Sequence, residues 1–496
     1  MRASALALPL AAASVALLAS TSAFALEGKA LFDKIVAASS DTVTVGSVEE
    51  IDGDSVVARD VKIVSERGTT ATYETVTMDG LVEDGDRVRV AQSVSTNGVV
   101  DIVGDGERSG NAKLRLATTT SRDVIAPAGA IFAVGQMRME GRAQVGSYTI
   151  DGAEADFNDD GTFETTMAQV VLTDLDTPLD FRFTPEQIEA ATGPAPEPFT
   201  LGNLQVTGTK VDVNGVVTTL ADLSLKDVKF PASANADPLD FVRTYTAFTA
   251  GPLEVKRGDT RLFAIDAMKA DIADREGKIE QSSSVEGIVL ALGELVAPQQ
   301  KAVIEQLGYG TLSGRSTAAA SYDPTTGRAA TDDFTVTFDD VGALKLGLAI
   351  TGYTPEIARK LNELQVQQAQ SGGQPNPMAF MDLLKDVKVE SFELSFTDDS
   401  VTRKMLELAA QRQPGQSADQ LASGVPMLIA IGMGGLGTPQ LTQEVAGAVG
   451  SFLQNPGTLA VRVEPMQPAP VSEIIGLAQQ PQQLVDRLGV KVEATQ

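Results

Sequence analysis

The residue pattern of segment 332–350 constrains the fold more than any other feature of the chain. Apolar side chains occupy every second position on both sides of a short break at 340–342, and polar or small residues fill the positions between them. Successive side chains of a β-strand point to opposite faces of a sheet, so each run predicts a strand with one apolar and one polar face. The short break predicts that the two strands pair as a hairpin.

The apolar positions of this hairpin form the candidate ligand-binding face. If the rest of the fold leaves them open, they can line a hydrophobic groove or a surface for a partner. If the C-terminal helices cover them, they are ordinary sheet core, and the pattern alone does not separate these alternatives. The residues concerned are Phe334, Val336, Phe338, Leu344, Leu346 and Leu348.

Similar alternating runs recur along most of the chain and are separated by Asp-Gly and Asn-Gly pairs, which accept positive φ at little cost. Examples of these predicted turns are Asp79-Gly80, Asn97-Gly98, Asp151-Gly152 and Asn214-Gly215. The pattern predicts an α+β protein, predominantly antiparallel β, with long meandering amphipathic sheets and a helix-rich C-terminal segment. Helices are predicted at residues 28–38, 355–370, 400–411, 439–453 and 471–488.

The composition excludes several kinds of chemistry. The chain has no His and no Cys, which removes Ser-His-Asp triads, Cys-His pairs, thiolate or imidazole metal sites and disulfides. Neither G-x-S-x-G nor S-x-x-K occurs. A formal net charge of −27 disfavours nucleic acid and anionic lipid as partners. We therefore predict a protein that is not an enzyme, with no cofactor, no metal and no nucleic-acid partner.

The N-terminus predicts export. Arg2 precedes a mostly apolar run, and Ala23-Phe24-Ala25 is an A-x-A cleavage site, so residues 1–25 are predicted to be a signal peptide cleaved after Ala25. The product would be periplasmic or extracellular, with no integral membrane span after cleavage. A proline-rich linker at 192–198 divides the remainder into β-rich domains at 26–192 and 199–353 and a mixed helical and β segment at 354–496.

Two short motifs suggest binding sites but lack parts that those sites need. Residues 432–437 match G-x-G-x-x-G after an apolar run, yet Pro439 and the short remaining chain argue against a dinucleotide fold, and a loop between two helices with Thr438 as cap is preferred. Asp156 to Gly161 resembles the start of a calcium loop, but Met167 stands where the closing Glu belongs. A hairpin turn is the preferred interpretation there.

Asp-Val-Lys occurs three times, beginning at Asp60, Asp227 and Asp386. The recurrence could mark a diverged repeat or three strands of similar composition, and the second interpretation is preferred.

Strands such as Leu223-Ser224-Leu225-Lys226-Asp227-Val228, together with the signal segment, resemble bacterial envelope proteins of the AsmA type over residues 40–400. The resemblance implies long curved sheets with an apolar inner face and a role in lipid handling or envelope maintenance. The chain departs from that group in having a cleavable signal in place of a membrane anchor. We predict a non-enzymatic envelope protein that binds lipid, another hydrophobic ligand or another envelope protein. The alternatives are a secreted carboxylate-dependent hydrolase and a purely structural or adhesion module.

Overall fold

The computed structural model describes residues 28–66, 68–103, 111–132, 141–158, 163–179, 199–230, 244–361, 364, 377–413 and 415–496. The predicted signal peptide and the predicted linker at 192–198 lie outside the described residues. The chain divides into two compact units on either side of residues 260 and 261. The sequence-based boundaries at 192–199 and 353–354 do not coincide with this division. The predicted α+β class with a predominance of antiparallel β is confirmed.

The N-terminal unit is a long antiparallel meander preceded by one amphipathic helix. Its elements are α1 (Gly28–Ala38), β1 (Thr42–Thr44), β2 (Ser47–Asp52), β3 (Ser55–Val64), β4 (Thr70–Asp79), β5 (Val82–Asp84), β6 (Arg87–Ile102), β7 (Asn111–Pro127), β8 (Arg142–Asn158), β9 (Phe163–Pro178), β10 (Phe199–Val213), β11 (Val216–Phe230), β12 (Ala247–Ala250) and β13 (Leu253–Arg257). From β6 to β11 each strand pairs with the next one in the chain.

The long strands β6 to β11 each contain a residue with positive φ inside the strand. These residues are Asn97, Asp123, Gly152, Asp174, Gly208 and Asp227. In each strand an Ala or Gly precedes the positive-φ residue by six positions, as Gly146 precedes Gly152. Because neighbouring strands are antiparallel, the positive-φ residue of one strand lies beside the small residue of the next. The register is the same before and after each such pair, so these are kinks and not β-bulges.

Each kink changes which residues face the core. In β8 the buried or half-buried inward residues are Val145, Tyr148, Ile150, Ala153 and Ala155, so their spacing alternates between three and two residues. Strict period-two alternation therefore fails at Gly146 and at Gly152, while the same side of the strand continues to face inward.

Two predicted turns are corrected by these kinks. The Asn97-Gly98 pair lies inside β6 and the Asp151-Gly152 pair lies inside β8. Both pairs supply the positive φ that the sequence pattern indicated, at Asn97 and at Gly152, but the strand continues through it. The predicted turns at Asp79-Gly80 and Asn214-Gly215 do lie at strand ends.

The first two Asp-Val-Lys segments share a backbone conformation. Asp60 and Asp227 have φ of 51° and 48°, whereas Asp386 ends the short 3₁₀ helix Leu384–Asp386. Asp tolerates this left-handed region better than most residues, because its short polar side chain can bond locally. The likeness of the first two segments is therefore conformational as well as compositional.

The core of the N-terminal unit is closed. Leu31, Phe32 and Ile35 form the apolar stripe of α1 and are almost completely buried. Phe32 meets Phe132 edge-on with ring centroids 5.7 Å apart. Burying such side chains is the main force that holds this helix against β2, β3 and β5. The helix predicted at residues 28–38 is confirmed.

The C-terminal unit is a second meander with helices added between its later strands. Its elements are β14 (Thr260–Ile265), β15 (Ala267–Arg275), β16 (Lys278–Leu290), α2 (Leu292–Leu295), α3 (Pro298–Leu307), β17 (Leu312–Asp323), β18 (Arg328–Phe338), β19 (Gly342–Thr351), α4 (Pro377–Leu383), β20 (Lys388–Asp398), α5 (Val401–Gln411), α6 (Ala418–Met433), α7 (Pro439–Gln454), β21 (Thr458–Val463), β22 (Ala469–Pro470), α8 (Val471–Gly476), α9 (Pro481–Leu488) and β23 (Val490–Thr495). Residues 355–361 are also helical.

The predicted hairpin and C-terminal helices are present. β18 and β19 pair antiparallel, with Phe334 opposite Leu346 and Val336 opposite Leu344. The helices predicted at 400–411, 439–453 and 471–488 correspond to α5, to α7 and to the pair α8 and α9. Of the helix predicted at 355–370, residues 362, 363 and 365–370 lie outside the described part of the chain.

Candidate hydrophobic-ligand site

Strand register gathers the predicted site residues on one face of the C-terminal sheet. Val336 of β18 lies opposite Leu344 of β19, which lies opposite Phe396 of β20. Leu346 is likewise opposite Leu394, which is opposite Val461 of β21. Residues directly opposite each other in an antiparallel pair share a face, so these rows form a continuous apolar surface.

The middle of this surface is open. Leu344, Leu348 and Leu394 are 43%, 38% and 37% exposed. The strand partners of Leu344 and Leu394 are apolar on both sides, whereas Leu348 lies between Thr331 and Phe392. We call Leu344, Leu346, Leu348 and Leu394 the open leucine face. Equivalent inward positions of the N-terminal unit, such as Val90 and Val124, are completely buried.

The remaining predicted site residues are half-buried at the margin of the open leucine face. Phe334, Val336 and Phe338 lie on β18 and project to the same side as the leucines. All six predicted residues therefore share one face, and two of them are exposed. Whether they contact a ligand stays a prediction.

Among the described residues, the helix α7 covers one margin of this apolar surface. Phe452 of α7 is buried and packs edge-on against Phe396, with ring centroids 6.2 Å apart. Phe396 is the neighbour of Leu344 across the β19–β20 pair, and Leu344 itself stays exposed. Both alternatives from the sequence therefore apply in part: core at the Phe396 margin and open surface at the leucines.

The opposite face of the same strands is polar. Arg462 of β21 donates hydrogen bonds to Glu393 on β20 and, at 2.7 Å, to Glu493 on β23. Small residues such as Ser395 and Ala460 are buried in the same strands. Exposed ion pairs of this kind contribute little stability, but they keep this face in water and leave the leucine side as the apolar one.

The G-x-G-x-x-G segment is not part of a dinucleotide-binding fold. The apolar run before it belongs to the helix α6, whereas that fold requires a strand there. Residues 434–436 form a 3₁₀ turn, and α7 begins directly after Thr438. Thr438 occupies the N-cap position but makes no side-chain capping bond, and its hydroxyl is buried.

A cavity of about 780 Å³ lies between α6 and α7. Its walls are uncharged: Pro426 and Ala430 of α6 face Gly450 of α7, and Gln443 and Asn455 contribute amides. A Cβ atom at position 450 would approach Pro426 to 2.7 Å, so the glycine permits the close contact of the two helices. The volume is within the range of small-molecule sites.

The helix α6 carries an exposed apolar patch that the sequence pattern does not predict. Met427, Leu428 and Ile431 are 69%, 68% and 71% exposed, and we call them the α6 patch. A sequence signal was present, because residues 420–443 contain no charged side chain. Short apolar runs are typical of both buried strands and helices, so the run before the glycine motif does not by itself indicate an exposed helix face.

The predicted hairpin at Asp156 is consistent with the described strands. Phe157 at the end of β8 pairs with Phe163 at the start of β9. Asp156 accepts a hydrogen bond of 2.7 Å from Arg115, and Met167 is a buried strand residue. Residues 159–162 lie outside the described chain, and within the described residues no cluster of acidic ligands suited to a metal ion occurs.

Two carboxylates with a displaced pKa, Glu464 and Glu356, do not resemble the acid of a hydrolase. The hydrogen bond and charge of Lys491 lower the pKa of Glu464, and Lys360 lowers that of Glu356 in the same way. A general acid needs a raised pKa so that it holds a proton at neutral pH. The hydrolase alternative therefore gains no support from these two groups.

A family model described as "Uncharacterized protein" matches residues 335–495, about a third of the chain. The match contains the end of β18 from residue 335, all of β19 to β23 and the helices from α4 to α9, and so includes the open leucine face and the α6 patch. No curated protein matches the sequence. Within the described residues, no helix has both the length and the apolar character needed to cross a membrane.

Proposed function

We propose that this is a non-enzymatic exported envelope protein whose C-terminal unit binds a hydrophobic ligand on the open leucine face. The observation that carries the proposal is the exposure of Leu344, Leu348 and Leu394 at the centre of an otherwise apolar sheet surface. Leaving such side chains in water forfeits roughly 25 cal/mol per Å² of apolar area, and a bound acyl chain would recover that free energy.

The shape of the face suits an extended chain. Leu344 and Leu348 are four residues apart on one strand, which corresponds to roughly 13 Å. Leu394 lies beside them on the neighbouring strand, so the exposed atoms form a strip two strands wide. An acyl chain lying along β19 could contact all four leucines. The predicted signal peptide and the AsmA-type resemblance support an envelope location and lipid as the ligand class.

The test is native mass spectrometry of protein purified from an exporting bacterial host, followed by extraction of any bound lipid. We expect a stoichiometric acyl-chain ligand on the wild-type chain. The variant Leu344→Ser/Leu348→Ser/Leu394→Ser should lose it. Leu295→Ser is the matched control, because Leu295 is equally exposed but lies in α2.

Two results would contradict the proposal. One is a wild-type mass without ligand together with an extract free of lipid. The other is retention of the ligand by the triple serine variant at the wild-type level. Circular dichroism of each variant establishes that the loss is not caused by unfolding.

A further inference from the structure

The α6 patch is a second exposed apolar surface, separate from the open leucine face. Its residues occupy one side of the helix, because positions 427, 428 and 431 are neighbours on a helical surface. Gly432, Gly434 and Gly435 follow, and a Cβ atom at any of them would have no neighbour within 4 Å. The end of α6 therefore presents apolar side chains and bare backbone to solvent.

The stretch of chain that contains the patch carries no charge. Asp419 and Glu444 are the nearest charged residues along the chain on either side. Over the whole chain 21% of the residues are charged, so a gap of this length is unusual for a solvated surface of this protein. A surface that enters a low-dielectric medium must lack charge, because an unpaired charge there is costly.

The composition of the patch does not resemble a protein–protein hot spot. Such hot spots are enriched in Trp, Tyr and Arg, whereas this patch consists of flexible aliphatic side chains. The patch offers three side chains, whereas stable interfaces bury roughly 1,200–2,000 Å² from roughly 20–30 residues on each side. Shallow insertion into hydrocarbon needs no such area and no complementary shape.

From these observations we propose that the α6 patch docks the protein on the surface of a neutral phospholipid bilayer. Met427, Leu428 and Ile431 insert between the acyl chains, and the uncharged glycine segment 432–437 lies at the headgroup level. No Lys or Arg within residues 420–443 can attract anionic headgroups, and the net charge of −27 repels them, so zwitterionic lipid is the expected surface.

The test is flotation of the protein with phosphatidylcholine vesicles. Protein purified from an exporting host is used, with its N-terminus established by intact mass, because residues 1–25 are themselves apolar. We expect the wild type to float and Met427→Gln/Leu428→Gln/Ile431→Gln to lose at least ten-fold in partition coefficient. The control Met466→Gln/Leu295→Gln/Ile475→Gln changes the same residue types at exposed positions outside α6 and should float like the wild type.

A second measurement does not depend on a triple substitution. The chain has no Cys, so Leu428→Cys can be labelled at that position alone with a polarity-sensitive dye. The emission of the dye should shift to the blue when neutral vesicles are added. The same dye on Glu407→Cys, an exposed position of α5, should show no shift.

Three results would overturn the proposal: a wild type that does not float, a wild type that floats only with anionic vesicles, and a glutamine variant that floats unchanged. A dimer that the glutamine variant dissociates, without flotation, would identify a second copy as the occupant instead. The outcome does not depend on the open leucine face, because the Leu344→Ser/Leu348→Ser/Leu394→Ser variant should still float.

Discussion

The kinked strands of the N-terminal unit make a quantitative prediction at Gly208. Gly208 has φ of 62°, and a Cβ atom there would lie 2.6 Å from the Cβ of Ala168 on the neighbouring strand. Gly215 has a similar φ of 76° but has no atom within 4 Å of its Cβ position. Both glycines therefore require a positive φ, but only Gly208 also lies too close to a neighbouring strand for a side chain.

The magnitudes follow from this difference. Alanine in the left-handed region costs about 1–2 kcal/mol, less a few tenths to 1 kcal/mol from the lower entropy of the unfolded chain. Gly215→Ala should therefore reduce the free energy of unfolding by about 1 kcal/mol. Gly208→Ala adds about 1–3 kcal/mol of overpacking, because a Cβ atom attached to a strand backbone cannot swing away.

Urea unfolding followed by far-UV circular dichroism measures both changes. The double variant Gly208→Ala/Ala168→Gly removes the close contact and should recover the overpacking part, so the double-mutant cycle should give a coupling of about 1–3 kcal/mol. If Gly208→Ala costs no more than Gly215→Ala, or if Ala168→Gly recovers nothing, the close packing of the kinks is refuted.

Three further predictions concern the open leucine face, the helix α1 and the buried phenol of Tyr73. Leu116→Ala in the closed core should cost about 2–5 kcal/mol of unfolding free energy, whereas Leu394→Ala on the open leucine face should cost less than half of that; equal urea-unfolding losses would mean that the face is closed. Phe32→Ala should cost about 3–5 kcal/mol by the same assay, and a change below about 1 kcal/mol would show that α1 is not a core element. Burial raises the pKa of Tyr73 to about 12, above its value of about 10 in an unfolded chain. The raised pKa means that the neutral phenol stabilises the folded state. This stabilisation is fully present below pH 10, and about 3 kcal/mol of unfolding free energy is lost as the pH rises from 10 to 12. Unfolding measured at pH 9 and pH 11 should show a smaller loss for Tyr73→Phe than for the wild type, and identical losses would refute the assignment.

The sequence predicted the elements that local patterns determine. The stripe of α1 and the alternation of β18 and β19 depend on residues a few positions apart, and each was found where the pattern placed it. The kinks could not be recognised in the same way. Asn97-Gly98 favours positive φ equally in a hairpin turn and inside a strand, and only the pairing of β6 with β7 decides between them.

The exposure of the candidate site could not be predicted because it depends on distant elements. Leu344 and Val90 follow the same alternating pattern, yet Leu344 is exposed and Val90 is buried. The difference comes from which elements cover each face, and that is a property of tertiary structure. The exposure of one side of α6 could not be predicted either, because the same apolar residues are equally compatible with a buried helix.

The chain-order pairing from β6 to β11 also bears on how this sheet is assembled. Each strand pairs with the strand that follows it in the chain, across connections that range from two residues between β10 and β11 to twenty between β9 and β10. The entropy cost of closing a loop rises only slowly with its length, so each step stays inexpensive. A growing edge can therefore accept the strands one at a time, in the order in which a ribosome or an export channel releases them. Assembly of this sheet need not wait for residues beyond the next hairpin.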